Sequence, residues 1–157
     1  MIKEIGLALS GGGVRATVFH LGVLKYLAEE NLLGEVKYIS TVSGGSLCMG
    51  LIHSKSRNWP TSSEFLEKVL PSIKTSLTTY CLQSELKNST FLRLGTPDRS
   101  KLLAKLIEKN WGVSGNITEM YKDPRWVING TCVETGKNWR FMHKRMGDYV
   151  AQYTMNP

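Results

Sequence analysis

The chain is short of the residues that staple small proteins together. Only three of its 157 residues are cysteines, Cys48, Cys81 and Cys132, an odd number without the close spacings of a zinc site or a redox pair. Each reads as a small apolar residue in a reducing compartment. Five prolines and 15 glycines lie scattered, so no linker or low-complexity stretch divides the chain. Long hydrophobic runs are also missing. The longest uncharged stretch, from Lys37 to Lys55, is too rich in Ser, Thr and Gly to make a good bilayer span. The first apolar run is broken by glycines and Arg15 before it reaches the length of a signal-peptide core. The protein therefore reads as unexported, cytoplasmic and without a membrane span, and the Asn-x-Ser/Thr sequons at Asn88, Asn116 and Asn129 carry no weight.

Acidic residues are outnumbered, 13 Asp+Glu against 20 Lys+Arg, giving a formal charge of +7. The excess is local: residues 1–50 balance to 0, residues 51–110 carry +5 and residues 111–157 carry +2. A basic segment suits a solvated face, an anionic membrane surface or nucleic acid. No aromatic-interleaved basic run or nucleic-acid motif accompanies it, so nucleic acid is not an expected partner.

What is present is an apolar content of 41% distributed as one compact domain, long enough to bury roughly 70% of its unfolded surface. Ile5 to Leu9 is a short apolar strand running into Ser10 and three glycines. Ala16 to Leu33 reads as a helix stopped by Gly34. Val36 to Val42 is a β-branched strand followed by Ser43-Gly44-Gly45, and Ser46 to His53 reads as a second helix. Strand, Gly loop, helix, strand, Ser-Gly turn, helix is the pattern of a parallel α/β sheet. Thr61 and Glu64 have capping-box spacing, and Pro71 is expected to kink or split the helix that follows. Asp98 or Ser100 caps a helix with Leu102, Leu103, Leu106 and Ile107 on one face, stopping near Asn110 to Gly112. Residues 86–99 read as a polar connection. Trp126 to Val133 and Trp139 to Met142 flank a Glu134-Thr135-Gly136-Lys137 turn as a hairpin.

Two motifs carry chemistry. Ser10-Gly11-Gly12-Gly13-Val14-Arg15-Ala16 lies between a strand and a helix, where bare backbone N–H groups at a positive helix end can hold an anion. Gly11, Gly13 and Ala16 satisfy the G-x-G-x-x-G/A dinucleotide pattern. The same N–H groups would equally form an oxyanion hole for acyl transfer. Thr41-Val42-Ser43-Gly44-Gly45, at a strand-to-helix turn, is close to the G-x-S-x-G nucleophile elbow, with Gly44 and Gly45 as its small supporting residues and Thr41 in place of the first glycine. A dinucleotide site would need an acidic residue closing the second strand. That strand ends in Ser43 instead, and Glu35 lies at its wrong end, which favours acyl transfer. A structural Gly turn and a non-catalytic module that binds lipid or a partner remain the plainer alternatives.

The GGGVRA loop, the ISTVSGGSL turn and the VINGTCVETGKNWRF strand and turn resemble the amino-terminal part of a patatin-like phospholipase. The resemblance implies a three-layer α/β/α fold with a largely parallel central sheet, with residues 1–157 forming the front part of a single domain incomplete at its carboxyl end. It implies a lipid acyl hydrolase acting on a phospholipid or similar acyl ester through a Ser-Asp dyad, without metal or organic cofactor. Ser43 then stands for the nucleophile, Gly11, Gly12 and Gly13 for the oxyanion loop, and Arg15 for the basic residue beside it; Ala16 replaces the family's usual final glycine. Peripheral membrane contact would fall to the basic residues 51–110. The dyad aspartate of such a family lies in an Asp-Gly-Gly/Ala motif. Asp98, Asp123 and Asp148 are the only aspartates here and none precedes a glycine, so the dyad base is expected beyond Pro157. A triad of Ser43, an acid such as Glu134, and His143 keeps the order of the α/β-hydrolases. His53 lies about 15 Å along an ideal helix from Ser43, and His20 reads as a structural residue.

Overall fold

The computed structural model describes residues 4–82, 84, 99–150 and 152–155. The chain begins with β1 (Ile5–Leu9), α1 (Gly13–Glu29), a 3-10 turn at Leu33–Glu35, β2 (Val36–Val42) and α2 (Gly44–Lys55). A helical run follows: α3 (Ser62–Glu64), a π turn at Phe65–Val69 and α4 (Leu70–Thr79). After α5 (Arg99–Trp111) and a 3-10 turn at Ile117–Glu119 come β3 (Arg125–Thr131), β4 (Asn138–Met142), β5 (Arg145–Asp148) and β6 (Gln152–Met155).

The six strands form one sheet in sequence order. β1, β2 and β3 pair in parallel, Leu7 beside Ile39 and Ile39 beside Trp126, while β3 to β6 pair antiparallel. The architecture is α/β, but the sheet is mixed rather than largely parallel. The physical reason is connection length. Helices join the parallel strands, whereas β3 and β4 are linked by a tight turn with Gly136 at φ 66° and a bond from the Cys132 N–H to the Lys137 carbonyl, which only an antiparallel pair allows. Asp98 and nearly all of the polar connection at 86–99 lie outside the described residues.

The helices pack on one face of the sheet. Val36, Ile39 and Thr41 of β2 are buried there, and Tyr38, Ser40 and Val42 on the other face are exposed. Among the described residues, then, the sheet and one helical layer are present. α2 forms the centre of that layer. Cys48, Met49, Leu51 and Ile52 are all fully buried, as expected of a helix apolar on every side. Each large side chain buried there contributes about 1.5–3 kcal/mol. Leu24, Phe65, Ile73 and Trp111 complete the core.

Two local features have clear causes. α1 ends at Glu29, not at Gly34, because Asn31 takes the left-handed conformation at φ 55°. The Leu32 N–H then bonds the Leu27 carbonyl and the Asn31 N–H bonds the Ala28 carbonyl, a Schellman cap in which Asn replaces Gly. Pro71 marks a break in the bonding register, where the run passes from the π turn into α4. It sits in the first turn of α4 directly after the π turn, where the altered bonding register absorbs its missing N–H.

Candidate active site

The two Gly-rich motifs, 30 residues apart in the chain, meet at one end of the sheet. β1 delivers Ser10 to Gly13, and β2, one strand over, delivers Ser43 at the start of α2. Ser43 adopts φ 50° and ψ −113°, a backbone state that costs a non-glycine residue of order 1–3 kcal/mol. Its neighbours make the turn geometrically tolerable. A Cβ on Gly44 would sit within clashing distance of the Gly13 carbonyl oxygen and 3.0 Å from the Gly13 nitrogen, and one on Gly45 would overlap the Leu9 carbonyl. Glycine is therefore required at both positions for the turn to press against the loop. The Gly45 N–H donates to the Ser10 carbonyl at 3.1 Å.

The loop in turn faces the serine. A Cβ on Gly11 would lie 3.3 Å from Ser43 Cβ and 3.8 Å from Ser43 Oγ. Gly12 and Gly13 have φ of 138° and 62°, values suited to glycine. Gly11, Gly12, Gly13 and Ser43 are all exposed. Among the described residues neither the Gly11, Gly12 and Gly13 N–H groups nor the Ser43 hydroxyl has a hydrogen-bond partner. Those N–H groups open α1, where the helix dipole adds positive potential. Arg15 is exposed on the first turn of α1, and no described contact ties it to Ser43.

Several supporting residues lie outside the two motifs. Thr17 is fully buried, and its hydroxyl lies 2.9 Å from the Gly44 carbonyl and 3.2 Å from the Gly13 carbonyl, linking turn to loop. His20 Nε2 bonds the Ser10 carbonyl at 3.0 Å, so it anchors the loop's first residue and does not reach Ser43. Ala16 packs where Cβ atoms on Gly12 and Gly44 would each come within 3.1 Å of its methyl. Thr41 does not crowd the turn. It points into the helical layer, donating to the Val127 carbonyl at 3.2 Å and accepting from Ser46 Oγ at 2.9 Å and Trp126 Nε1 at 3.1 Å. Asn129 fixes the end of β2 from β3 through bonds to Ser40 Oγ at 2.9 Å and the Thr41 carbonyl at 3.0 Å. Only the helical spacing of Thr17 and His20 behind the glycines offers a sequence signal for this shell.

The triad of Ser43, Glu134 and His143 is not assembled. Register places His143, which follows Met142, level with Trp126 and Ile39, about 13 Å below Ser43 along the strand direction. Glu134 is exposed in the β3–β4 turn, at Ser43's end of the sheet. Its carboxyl is held below the usual range by the Cys132 thiol and its own backbone N–H. His53 bonds the Glu119 carbonyl at 2.8 Å, near the far end of α2. Asp148 is buried and level with Ser43, accepting from the Val150 N–H at 2.8 Å. It lies three strands away in the sheet order, about 14 Å to the side.

The fold is α/β, and at one end of its sheet a serine at φ 50° on a strand-to-helix turn stands beside a Gly loop whose N–H groups have no partner among the described residues. A sequence profile of the Patatin-like phospholipase family matches residues 7–137, and the chain belongs to that family. A Patatin-like phospholipase domain-containing protein of Pyricularia oryzae strain 70-15 is 31% identical over 134 residues, covering 81% of this chain and 15% of the relative. A relative from strain Y34 of the same fungus matches equally. The chain thus spans about 15% of the length of these curated relatives. Human GIVD cytosolic phospholipase A2 in complex with methyl gamma-linolenyl fluorophosphonate has the same fold, with TM-score 0.68 and 18% identity over 99% of this chain and 25% of that one. Another structure of that human protein gives a TM-score of 0.64 at 18% identity, covering 99% of this chain and 24% of that one. Among the described residues, no helix is long and apolar enough to cross a membrane.

Proposed function

We propose that this chain carries the nucleophile half of a lipid acyl ester hydrolase, with Ser43 as the attacking residue. The observation that carries the reading is how closely the loop approaches Ser43, held at φ 50°: a side chain on Gly11 would place its Cβ 3.3 Å from Ser43 Cβ. Ser43 Oγ would attack the ester carbonyl carbon and pass its proton to a base. The carbonyl oxygen, now negative, would fall to the N–H groups of Gly11, Gly12 and Gly13, each such donor contributing about 3 kcal/mol to the transition state. Collapse breaks the ester C–O bond, the alcohol leaves with a proton, and water releases the fatty acid from the acyl-serine. Arg15, on the same helix turn, would add positive potential near the oxyanion. The base is an aspartate of the Asp-Gly-Gly/Ala kind, which this chain does not contain. The substrate class is a phospholipid or similar acyl ester met at a membrane surface, with the basic residues 51–110 aiding contact from the cytoplasm.

One observation favours a second reading, lipid binding without turnover. Of the aspartates, Asp148 is three strands from Ser43 and Asp123 lies just before β3, at the opposite end of the sheet. Fatty acid release from phosphatidylcholine vesicles separates the two. Release that disappears in Ser43→Ala supports hydrolysis; vesicle binding with no release in the unaltered chain supports the second reading for this chain.

A further inference from the structure

A second concave site lies far from Ser43, where β2 and β3 begin. α2 follows Ser43 directly and its 12 residues span about 18 Å; beyond its far end opens a cleft of about 690 Å³. Its wall collects Arg57 from the segment after α2, Lys122 from the approach to β3, and His143 and Lys144 from the β4–β5 turn. These positions are distant in sequence, and Lys144 is held at φ 58°, so the turn fixes where the His143-Lys144 pair projects.

The charges do not cancel. Two carboxylates share the wall, Glu119 and Asp123. Glu119 faces Arg57 at 3.2 Å and also accepts from the Asn116 N–H at 3.4 Å. Lys122 and Lys144 are exposed, and among the described residues neither has an ion pair. Asp123 opposes them alone. His143 adds the most specific signal. Both of its ring nitrogens are buried and neither has a hydrogen-bond partner among the described residues. A neutral imidazole has one N–H donor and one acceptor nitrogen in either tautomer, and leaving such groups buried and unmatched is costly.

We propose that this cleft is a binding site for a phosphate-bearing ligand, held by Lys122 and Lys144 with Arg57 at its edge, and that the His143 ring, whose nitrogens are buried and unmatched as it stands, turns to donate to the ligand when it binds. The donors are ammonium, guanidinium and imidazole groups, and a phosphate monoester offers several strong acceptor oxygens and up to two negative charges. A carboxylate, with two oxygens, would leave part of the set unmatched. The cleft is much larger than a bare phosphate ion, so the ligand's phosphate is attached to an organic body, either a soluble metabolite or a lipid headgroup. The site is separate from the Ser43 turn, and the proposal does not depend on hydrolysis there.

The chain has three histidines, so imidazole proton resonances report the site individually. Titration with inorganic phosphate should shift the His143 resonance saturably and leave those of His20 and His53, which are bonded to backbone carbonyls, in place. In the double variant Lys122→Glu, Lys144→Glu, whose changes fall on exposed side chains, apparent affinity should drop about ten- to a hundredfold, with an unchanged circular dichroism spectrum. Sedimentation with phosphatidylcholine vesicles with and without phosphatidic acid then identifies the source. Binding that needs both phosphatidic acid and the two lysines assigns a lipid headgroup; a phosphate-dependent His143 shift without such binding assigns a soluble ligand. A His143 resonance that phosphate does not move, or a shift retained at full affinity in the double variant, overturns the proposal.

Discussion

Gly45 offers the sharpest structural test, because its substitution can be compared with an identical one where space is free. In Gly45→Ala the new methyl would overlap the Leu9 carbonyl group and come within 2.7 Å of Leu9 Cβ. Strand β1 or helix α2 must then move by about 1 Å, an overpacking cost of about 1–3 kcal/mol. The movement stretches the bond from the Gly45 N–H to the Ser10 carbonyl, 3.1 Å long, worth about 1 kcal/mol. Alanine's better helix propensity returns up to about 1 kcal/mol. The net effect is a loss of about 1–3 kcal/mol. Gly22, in the middle of α1, is exposed, and a Cβ there meets nothing within 4 Å. Gly22→Ala should therefore stabilise by about 0.5–1 kcal/mol. In a domain of this size 1 kcal/mol moves the melting temperature by about 2–4 °C, so the two variants should bracket the parent chain and differ by several degrees. Thermal and urea unfolding followed by circular dichroism measure this. A Gly45→Ala variant as stable as Gly22→Ala would refute the close contact between turn and strand.

Thr17→Val removes the hydroxyl that bonds the Gly44 carbonyl while keeping the shape, and should cost about 1–3 kcal/mol in urea unfolding; Thr17→Ser, which keeps the hydroxyl, should lose less. Cys48 is the buried thiol, and burial pushes its pKa up from 9.0 to about 12. Between those values the unfolded chain releases a proton that the folded chain keeps, so stability falls as pH rises, by up to about 1.4 kcal/mol per pH unit. In Cys48→Ala that part of the alkaline slope should vanish, while the part due to Tyr121, also raised by burial, remains. The same burial predicts that a thiol reagent modifies exposed Cys81 in the native state and reaches Cys48 only on unfolding.

Legibility from sequence followed the strength of local signals. β1, β2 and the glycine turns stand out because apolar runs meet side-chain-free residues, and the structure brings these elements together. β5 carries no local strand signal, since Arg145-Met146-Gly147-Asp148 has neither alternation nor β-branched content, and antiparallel pairing with β4 makes it a strand. α1 ends before Gly34 because Asn31 caps it first, and asparagine in the left-handed conformation is a weaker sequence signal than glycine. Thr41 looked like a departure from the elbow pattern, yet the side chains that hold it, Ser46 and Trp126, come from different elements. The cleft around His143 joins residues from three distant segments, a proximity no short spacing encodes. Among the described residues no aspartate is brought to Ser43: Asp148 lies three strands away and Asp123 at the opposite end of the sheet.

The most direct test of the central claim is reaction of the chain with a fluorophosphonate, followed by peptide mapping. The account predicts one adduct, on Ser43, absent from Ser43→Ala and reduced in Thr17→Val. An unlabelled chain, or an adduct on another residue that persists in Ser43→Ala, would contradict it.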